Sequence, residues 1–504
     1  MPEKILFLLD LWFFHYGIAK SLQESEKEFE MYAIIDIGEK AQKFFDEQKF
    51  VDFKKKYVYL DNVKVENKKP NLEYLKLFEE RYGINLWHVA YTDRAFYQYN
   101  KMHNFTKNEI LYTLEQECRF FEQVLDEVKP DFIALYLTIS HHQYLLSEMC
   151  KSRGIKNLMI VPTKSGKRIM ISENDNKIDY FSKESLHKNK SVIDLDDYYK
   201  STNPFEHVQK TKEIAFDAKK MDRYKSLFKY FFSDSDKEYN KRFNNFGRTK
   251  LSTIKERFSR SIKRKLREKF IDQNFSRTIG NGSFIYFPLH YEPERILLIN
   301  APYFDNQLSV ITNIAKSIPI GYTLLVKEHP FMQTIGWRDT SYYKTIMKLP
   351  NVKLIHHTVT PEEIIKKSSL VITIGGTVGI EAATFKKPCI TLVDTIYSII
   401  NSVHKLEKFD DLPFLIKKCL NEEIIDNNMN EFINIINDNS FELEIGEIST
   451  DFAFQFGLKG LIQDAELPID KIDRFLKKYH TVFDLLGREH IKKIEQHRTN
   501  LNQK

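Results

Sequence analysis

Two apolar runs, each closed by a distinctive polar turn, constrain this chain more than anything else in it. Tyr322-Thr323-Leu324-Leu325-Val326 leads into Lys327-Glu328-His329-Pro330. Further on, Leu370-Val371-Ile372-Thr373-Ile374 leads into Gly375-Gly376-Thr377-Val378-Gly379-Ile380-Glu381-Ala382. Short, unbroken apolar runs separated by helical patterns predict strands of a parallel sheet. In such a sheet, ligands lie beyond the carboxyl ends of the strands. A basic, imidazole-bearing turn and a glycine turn opening a helix are therefore expected to face one crevice. The glycines allow close backbone approach, and N–H groups at a helix start favour phosphate.

The same alternation fills the beginning of the chain. Lys4–Leu9, Met31–Ile35 and Phe132–Leu137 read as strands, and His15–Gln23, Glu39–Glu47 and His142–Arg153 as helices. Thr106-Lys107-Asn108-Glu109 is a capping-box signature ahead of a long helical pattern. From Ser283 the rhythm resumes, with strands expected at Arg295–Ile299, Tyr322–Val326, Val352–Ile355, Leu370–Ile374 and Cys389–Leu392. No Gly-x-Gly-x-x-Gly turn follows the first strand, which argues against a nicotinamide or flavin site there. A chain of 504 residues has room for two or three cores. The expected division is a Rossmann-like domain over 1–180, a polar and basic helical insertion over 181–282, a second Rossmann-like domain over 283–405 and C-terminal helices over 406–504.

The insertion is where the charge lies. Residues 241–270 hold twelve Lys/Arg and two Glu, about +10, so the rest of a chain of net +6 carries about −4. Within it Leu251, Ile254, Phe258, Ile262, Leu266 and Phe270 fall on one helical face. Two readings stand. The helix packs its apolar stripe between domains, or it lies on an anionic membrane surface. A net charge of +6 is too mild to imply nucleic-acid binding. No apolar run is long enough for a transmembrane helix. The start, with Asp10 and His15 after Ile5–Leu9, reads as a first strand and not a signal peptide. Four scattered cysteines predict free thiols in a reducing compartment.

Several residues could carry chemistry. His329, held extended by Pro330, could donate to a phosphate oxygen or protonate a leaving phosphate; it also fits a hydrogen-bonded histidine at a sheet edge. Gly375, Gly376 and Thr377 suit a phosphate, and Glu381, one turn on, a ribose diol. An ordinary βα turn would look the same. Pro288-Leu289-His290-Tyr291-Glu292-Pro293-Glu294 is a rigid polar loop where the second domain begins, with Asp305, Asn306 and Gln307 as possible neighbours. A hinge is the plainer alternative. In the first domain Asp10, His15, Tyr16, Asp93, Thr138, Ser140, His141 and His142 sit where acceptor-side groups are expected. His141-His142 does not read as a metal pair, because adjacent side chains diverge and no carboxylate stands at ligand spacing.

The segment Phe287–Asp394 resembles the capsule-polysaccharide biosynthesis family of bacterial surface-glycan proteins. That family includes CMP-Kdo-using transferases and is similar in plan to bacterial sialyltransferases. The pieces that carry the resemblance are the Pro288–Glu294 loop, Lys327-Glu328-His329-Pro330, Leu349-Pro350-Asn351-Val352, and Gly376–Ala382 with Lys387-Pro388. The resemblance implies an α/β, GT-B-like fold, two Rossmann-like domains facing across a cleft. It implies transfer of a sugar from a nucleotide-activated donor, CMP-linked donors included, to a surface or capsular glycan. His329 would contact the nucleotide phosphate, the turn around Thr377 would hold phosphate and ribose, and a first-domain carboxylate would deprotonate the acceptor. Asp10 and Asp93 are the candidates for that base, with Glu292 as a further catalytic candidate. Lys327, His290 and Glu294 join the donor-binding set.

No Asp-x-Asp metal motif stands out, which points to metal-independent chemistry, since fixed donors can replace a metal ion, with no cofactor beyond the donor. The alternatives are a non-hydrolysing UDP-N-acetylhexosamine 2-epimerase and a non-catalytic assembly protein. The epimerase is disfavoured because its arginine-rich first-domain turn and its His-Pro-Asn-Pro sequence are missing; Phe331 follows Pro330 here. The expected location is the cytoplasm, with the basic insertion as a peripheral contact to the inner face of the membrane.

Overall fold

A computed structural model describes residues 2–10, 13–97, 103–180, 194–202, 250–425, 428–456 and 467–502. The chain builds two sheets, each with helices on both faces. In the first, β1 (Glu3–Leu9), β2 (Phe29–Ile35), β3 (Lys55–Val58), β4 (Phe132–Tyr136) and β5 (Lys156–Pro162) run parallel in the order 3-2-1-4-5. β6 (Arg168–Ser172) turns back antiparallel at the edge. The second sheet is wholly parallel: β7 (Phe284–Pro288), β8 (Thr323–Lys327), β9 (Val352–Ile355), β10 (Leu370–Thr373), β11 (Cys389–Thr391) and β12 (Val403–Lys405), ordered 9-8-7-10-11-12. Both are doubly wound Rossmann-like orders. In each, the strand order reverses beside the first strand, between β1 and β4 and between β7 and β10, where a crevice opens.

Burial explains why these runs became strands. Ile5–Leu9 and Leu370–Thr373 are buried throughout, as strands covered on both faces must be. The capping box forms: the Thr106 hydroxyl accepts from the Glu109 N–H, and Glu109 accepts from the Thr106 N–H, opening the helix Lys107–Val128. The Arg295–Ile299 strand does not form. Its residues enter a wide helical turn, Ile296–Asn300, closed by the Ala301 N–H on the Ile296 carbonyl. A run of four apolar residues carries no period that separates strand from buried helical turn. The leading strand of this domain is β7, paired with β8 and β10.

The C-terminal helices return to the first domain. The helix His480–Asn502 crosses Phe14–Gln23 so closely that a Cβ on Gly17 would lie 2.2 Å from the Phe483 ring, and one on Gly487 2.4 Å from the Ser21 hydroxyl. β13 (Phe441–Glu442) pairs with β6 at the edge of the first sheet. Of the insertion, residues 181–193 and 203–249 lie outside the described residues. Its basic stretch forms the helix Lys250–Asn274. That helix does not pack its stripe between domains: Leu251, Phe258, Ile262 and Leu266 are 75, 71, 52 and 64 % exposed. The side chain of Ile254 lies outside the described residues, and Phe270 is half-buried. The helix is anchored at its far end by Ile271 and Phe275 in the second core, and by Arg267 donating to the carbonyls of Gly336 and Trp337.

Candidate functional site

The second switch point gathers most of the expected donor-side residues. β7 delivers His290 and β10 delivers the glycine turn. His290 Nδ1 lies 2.9 Å from Glu294, and its Nε2 3.4 Å from the Thr373 hydroxyl, which accepts the Gly376 N–H at 3.1 Å. A Cβ on Gly376 would stand 3.2 Å from the His290 ring, so the imidazole needs that glycine beside it. Gly379 is stricter: its Cβ would lie 2.5 Å from the Tyr397 ring, whose hydroxyl donates to the Gly376 carbonyl. Thr377 caps the short helix Val378–Thr384, its hydroxyl 3.4 Å from Glu381. Burial raises the Glu381 carboxyl to about 7, against the opposing hydrogen bond from Thr377 and the charge of Lys327.

His329 sits at the end of β8, beside Tyr291 and stacked near-parallel on Phe331. Its Nδ1 accepts the Phe331 N–H at 3.2 Å. Burial lowers it to about 4, despite the nearby Glu294 carboxylate. At neutral pH the ring is therefore neutral with its proton on Nε2, a hydrogen-bond donor and not a proton source. Lys327 is buried beneath the crevice at 2 % exposure and acts on Glu381 and His329 through its charge.

The first domain supplies a residue that sequence reading missed. Lys164, in the β5–β6 turn at φ 62°, reaches across to donate to the Gly375 carbonyl at 2.8 Å. Burial lowers it to about 8, against the charges of Glu294 and Asp175. Glu294 is itself held below the usual carboxylate range: burial opposes ionisation, but the His290 hydrogen bond and nearby positive charge, Lys164 included, outweigh it. Beside it, Arg295 pairs with Asp175 and donates to the Thr138 carbonyl, a second link between the domains. A lysine in a turn and an arginine at the end of a polar loop carry no motif. Only the fold shows that they meet.

Glu292, expected as a catalytic candidate, sits in an ion-pair network. Its carboxylate is 3.1 Å from Arg338 and accepts from Gln307. Arg338, buried and also unmarked in the sequence, further bonds Glu328 and the His290 carbonyl. This network shapes the loop and holds the Glu292 carboxylate between Arg338 and Gln307. Asp10 ends β1 half-buried beside Tyr136 of β4, at the first switch point. Asp93 is deeply buried and accepts from the His141 ring at 2.6 Å, from the His141 N–H at 3.2 Å and from the Ala95 N–H at 2.6 Å. Burial opposes its ionisation, but His141 and these donors hold it well below the usual range. His141 and His142 do converge on carboxylates, contrary to their reading from spacing. His141 Nε2 is 2.8 Å from Glu117 and His142 Nε2 2.9 Å from Asp36. Both partners lie on distant elements, which sequence spacing does not report.

A cavity of about 790 Å³ lies between the domains, lined by none of the cluster's residues. Tyr91, Tyr144, His88 and Glu148 line it from the first domain, Tyr303 and Asp305 from the second. The chain also contains one Asp-x-Asp sequence among the described residues, Asp194-Leu195-Asp196. There Asp194 accepts the N–H groups of Asp196 and Asp197, a helix cap on the surface.

Residues 194–404 match the family model of capsule polysaccharide biosynthesis proteins, a span under half of the 504 residues. No curated protein matches the chain. Among solved structures, the chain is similar to the β-Kdo 2,7 transferase KpsC of Thermosulfurimonas dismutans: 12 % identity over 63 % of this chain and 89 % of that one, TM-score 0.27. It is also similar to UDP-GlcNAc 2-epimerase from Methanocaldococcus jannaschii in complex with UDP-GlcNAc and UDP: 12 % identity over 87 % and 99 %, TM-score 0.25. Superpositions this loose carry no function across; the two-domain Rossmann-like fold rests on the strand orders above.

Proposed function

We propose that this protein is a glycosyltransferase that moves a sugar from a nucleotide-activated donor, CMP-linked donors included, to a surface or capsular polysaccharide acceptor. One observation carries the reading. Lys164, the Gly375–Gly376 turn, the His290–Glu294 pair and a neutral His329 converge at a single switch point between two domains. These groups offer a cation, a close-approach turn and an imidazole N–H donor, the set a leaving phosphate needs. The capsule-family match over residues 194–404, which hold every member of that set but Lys164, supports it.

In the proposed reaction the acceptor hydroxyl loses its proton to a carboxylate, for which Asp10 at the first switch point is the candidate. The oxygen attacks the anomeric carbon and the bond to the donor phosphate breaks. Charge developing on that phosphate is met by Lys164 and His329 Nε2–H, fixed donors that act without a metal ion. Glu381, its carboxyl raised by burial to about 7, suits a ribose hydroxyl as donor or acceptor. The tyrosine-lined cavity beside Arg295 is the proposed acceptor chamber, since aromatic faces pack against sugar rings. The exposed stripe and basic flanks of Lys250–Asn274 are the proposed contact to an anionic membrane, which would bring a membrane-borne acceptor to the cleft.

NMR of the protein with CMP-, UDP- and GDP-linked sugars tests the reading. Free nucleotide should accumulate from one donor when a bacterial surface-glycan fraction is supplied, and slowly or not at all without it. Conversion of UDP-GlcNAc to its 2-epimer would replace transfer with epimerisation.

A further inference from the structure

Behind the carboxyl edge of the first sheet, Glu117, His141 and His142 each present a ligand atom within 4.8 Å of the other two. Glu117 comes from the helix Lys107–Val128 and the histidines from the first turn of His141–Ser152. Their exposures are 0, 2 and 5 %, so water does not compete for them. None of the three takes a part in the reaction proposed above, although His141 and His142 are expected on the acceptor side from the sequence.

The hydrogen bonds sort the ring nitrogens. His141 Nδ1 is committed to Asp93 at 2.6 Å, which leaves Nε2 facing Glu117. His142 Nε2 is committed to Asp36 at 2.9 Å, and its Nδ1 is buried with no hydrogen-bond partner. The second Glu117 oxygen, Oε2, is likewise buried and unpartnered. Each imidazole thus donates one N–H to a carboxylate and turns its other nitrogen elsewhere. Metal-bound histidines are oriented in this way by their outer partners. Tyr59 completes the setting: its hydroxyl donates to Glu117 and its ring lies over His142 at 4.8 Å.

We propose that Glu117, His141 and His142 form a zinc site, with His141 binding through Nε2, His142 through Nδ1 and Glu117 through its carboxylate. Two histidines and one carboxylate are an established donor set for zinc, with a further position left for water or a neighbouring oxygen. The ion's two positive charges would offset the buried carboxylates of Glu117 and Asp93. The site ties two helices together three residues past Thr138, which receives Arg295 from the other domain. Its role is to hold that edge of the first domain in shape. The proposal does not depend on the glycosyltransferase reading.

The test uses the full chain, purified without chelators or a metal-affinity step. Elemental analysis should find about one zinc per chain. Dialysis against a chelator should lower the melting temperature, and equimolar zinc chloride should restore it. Asp93→Asn should weaken zinc affinity by about 10–100-fold, as loss of such an outer partner does, and His142→Gln should abolish stoichiometric zinc. Wild-type protein that purifies without zinc, takes up none from micromolar zinc chloride and melts unchanged would overturn the site. In that case His141 is simply an imidazolium bridging Asp93 and Glu117. Zinc retained at full stoichiometry by His142→Gln would also overturn it, by placing the ion elsewhere.

Discussion

His329 shows how far a single residue can be read. Its place at a strand end before proline was legible from Lys327-Glu328-His329-Pro330. Its protonation state was not, because that depends on burial among groups brought by other elements. His329→Ala should leave the fold intact, since the ring is half-buried and makes one hydrogen bond, to the Phe331 N–H. It should cut turnover by about a hundredfold or more, the usual loss for a charge-stabilising donor; transfer assays on folded variant protein measure this. Glu381 provides a test through pH. Its folded-state value of about 7 lies above the ordinary 4.5, so the native state holds its proton more tightly than the unfolded chain. That stabilisation is complete below about pH 4.5 and is lost as pH rises through 7, amounting to roughly 3 kcal/mol at most. Glu381→Gln removes the titration. Its melting temperature, measured against wild type from pH 5 to pH 8, should rise relative to wild type as pH increases. Lys164 and Arg338 were invisible to this kind of reading. Nothing local marks either residue; Lys164 meets Gly375 211 residues away, and Arg338 reaches the His290 carbonyl 48 residues away.

At the scale of elements, the strands with long apolar runs and the capped helix were legible because local pattern and tertiary burial agree in them. Arg295–Ile299 is no strand because its four apolar residues fit a buried turn of helix equally well. The basic segment was read correctly as a helix, while its surroundings had two open readings. The structure leaves Leu251, Phe258, Ile262 and Leu266 exposed. Binding of the intact protein to vesicles of anionic and neutral phospholipid should therefore differ. Each Lys or Arg near an anionic surface contributes about 1 kcal/mol, so sedimentation with anionic vesicles should be strong at low salt. It should weaken as salt shortens the reach of the charges to about 8 Å at physiological ionic strength. Phe258→Glu with Leu266→Glu should abolish it without lowering the melting temperature. Equal binding by that double variant would remove the helix from membrane contact.

For the whole molecule, the alternation of strands and helices foretold two Rossmann-like domains, and the strand orders are those of that fold. What the sequence left unread was the way the domains meet. Lys164 on Gly375 and Arg295 on Thr138 and Asp175 place the first domain over the second-domain crevice. That closure turns a set of turn motifs into one site, and it makes a nucleotide sugar the ligand to expect. A thermal-shift screen with CMP-, UDP- and GDP-linked sugars tests this most directly. At a hundred times its dissociation constant the correct donor should stabilise the protein by about 2.7 kcal/mol, a shift of several degrees, and Lys164→Ala and His329→Ala should each shrink that shift. No shift with any of these nucleotide sugars, or an undiminished shift in both variants, would contradict the account.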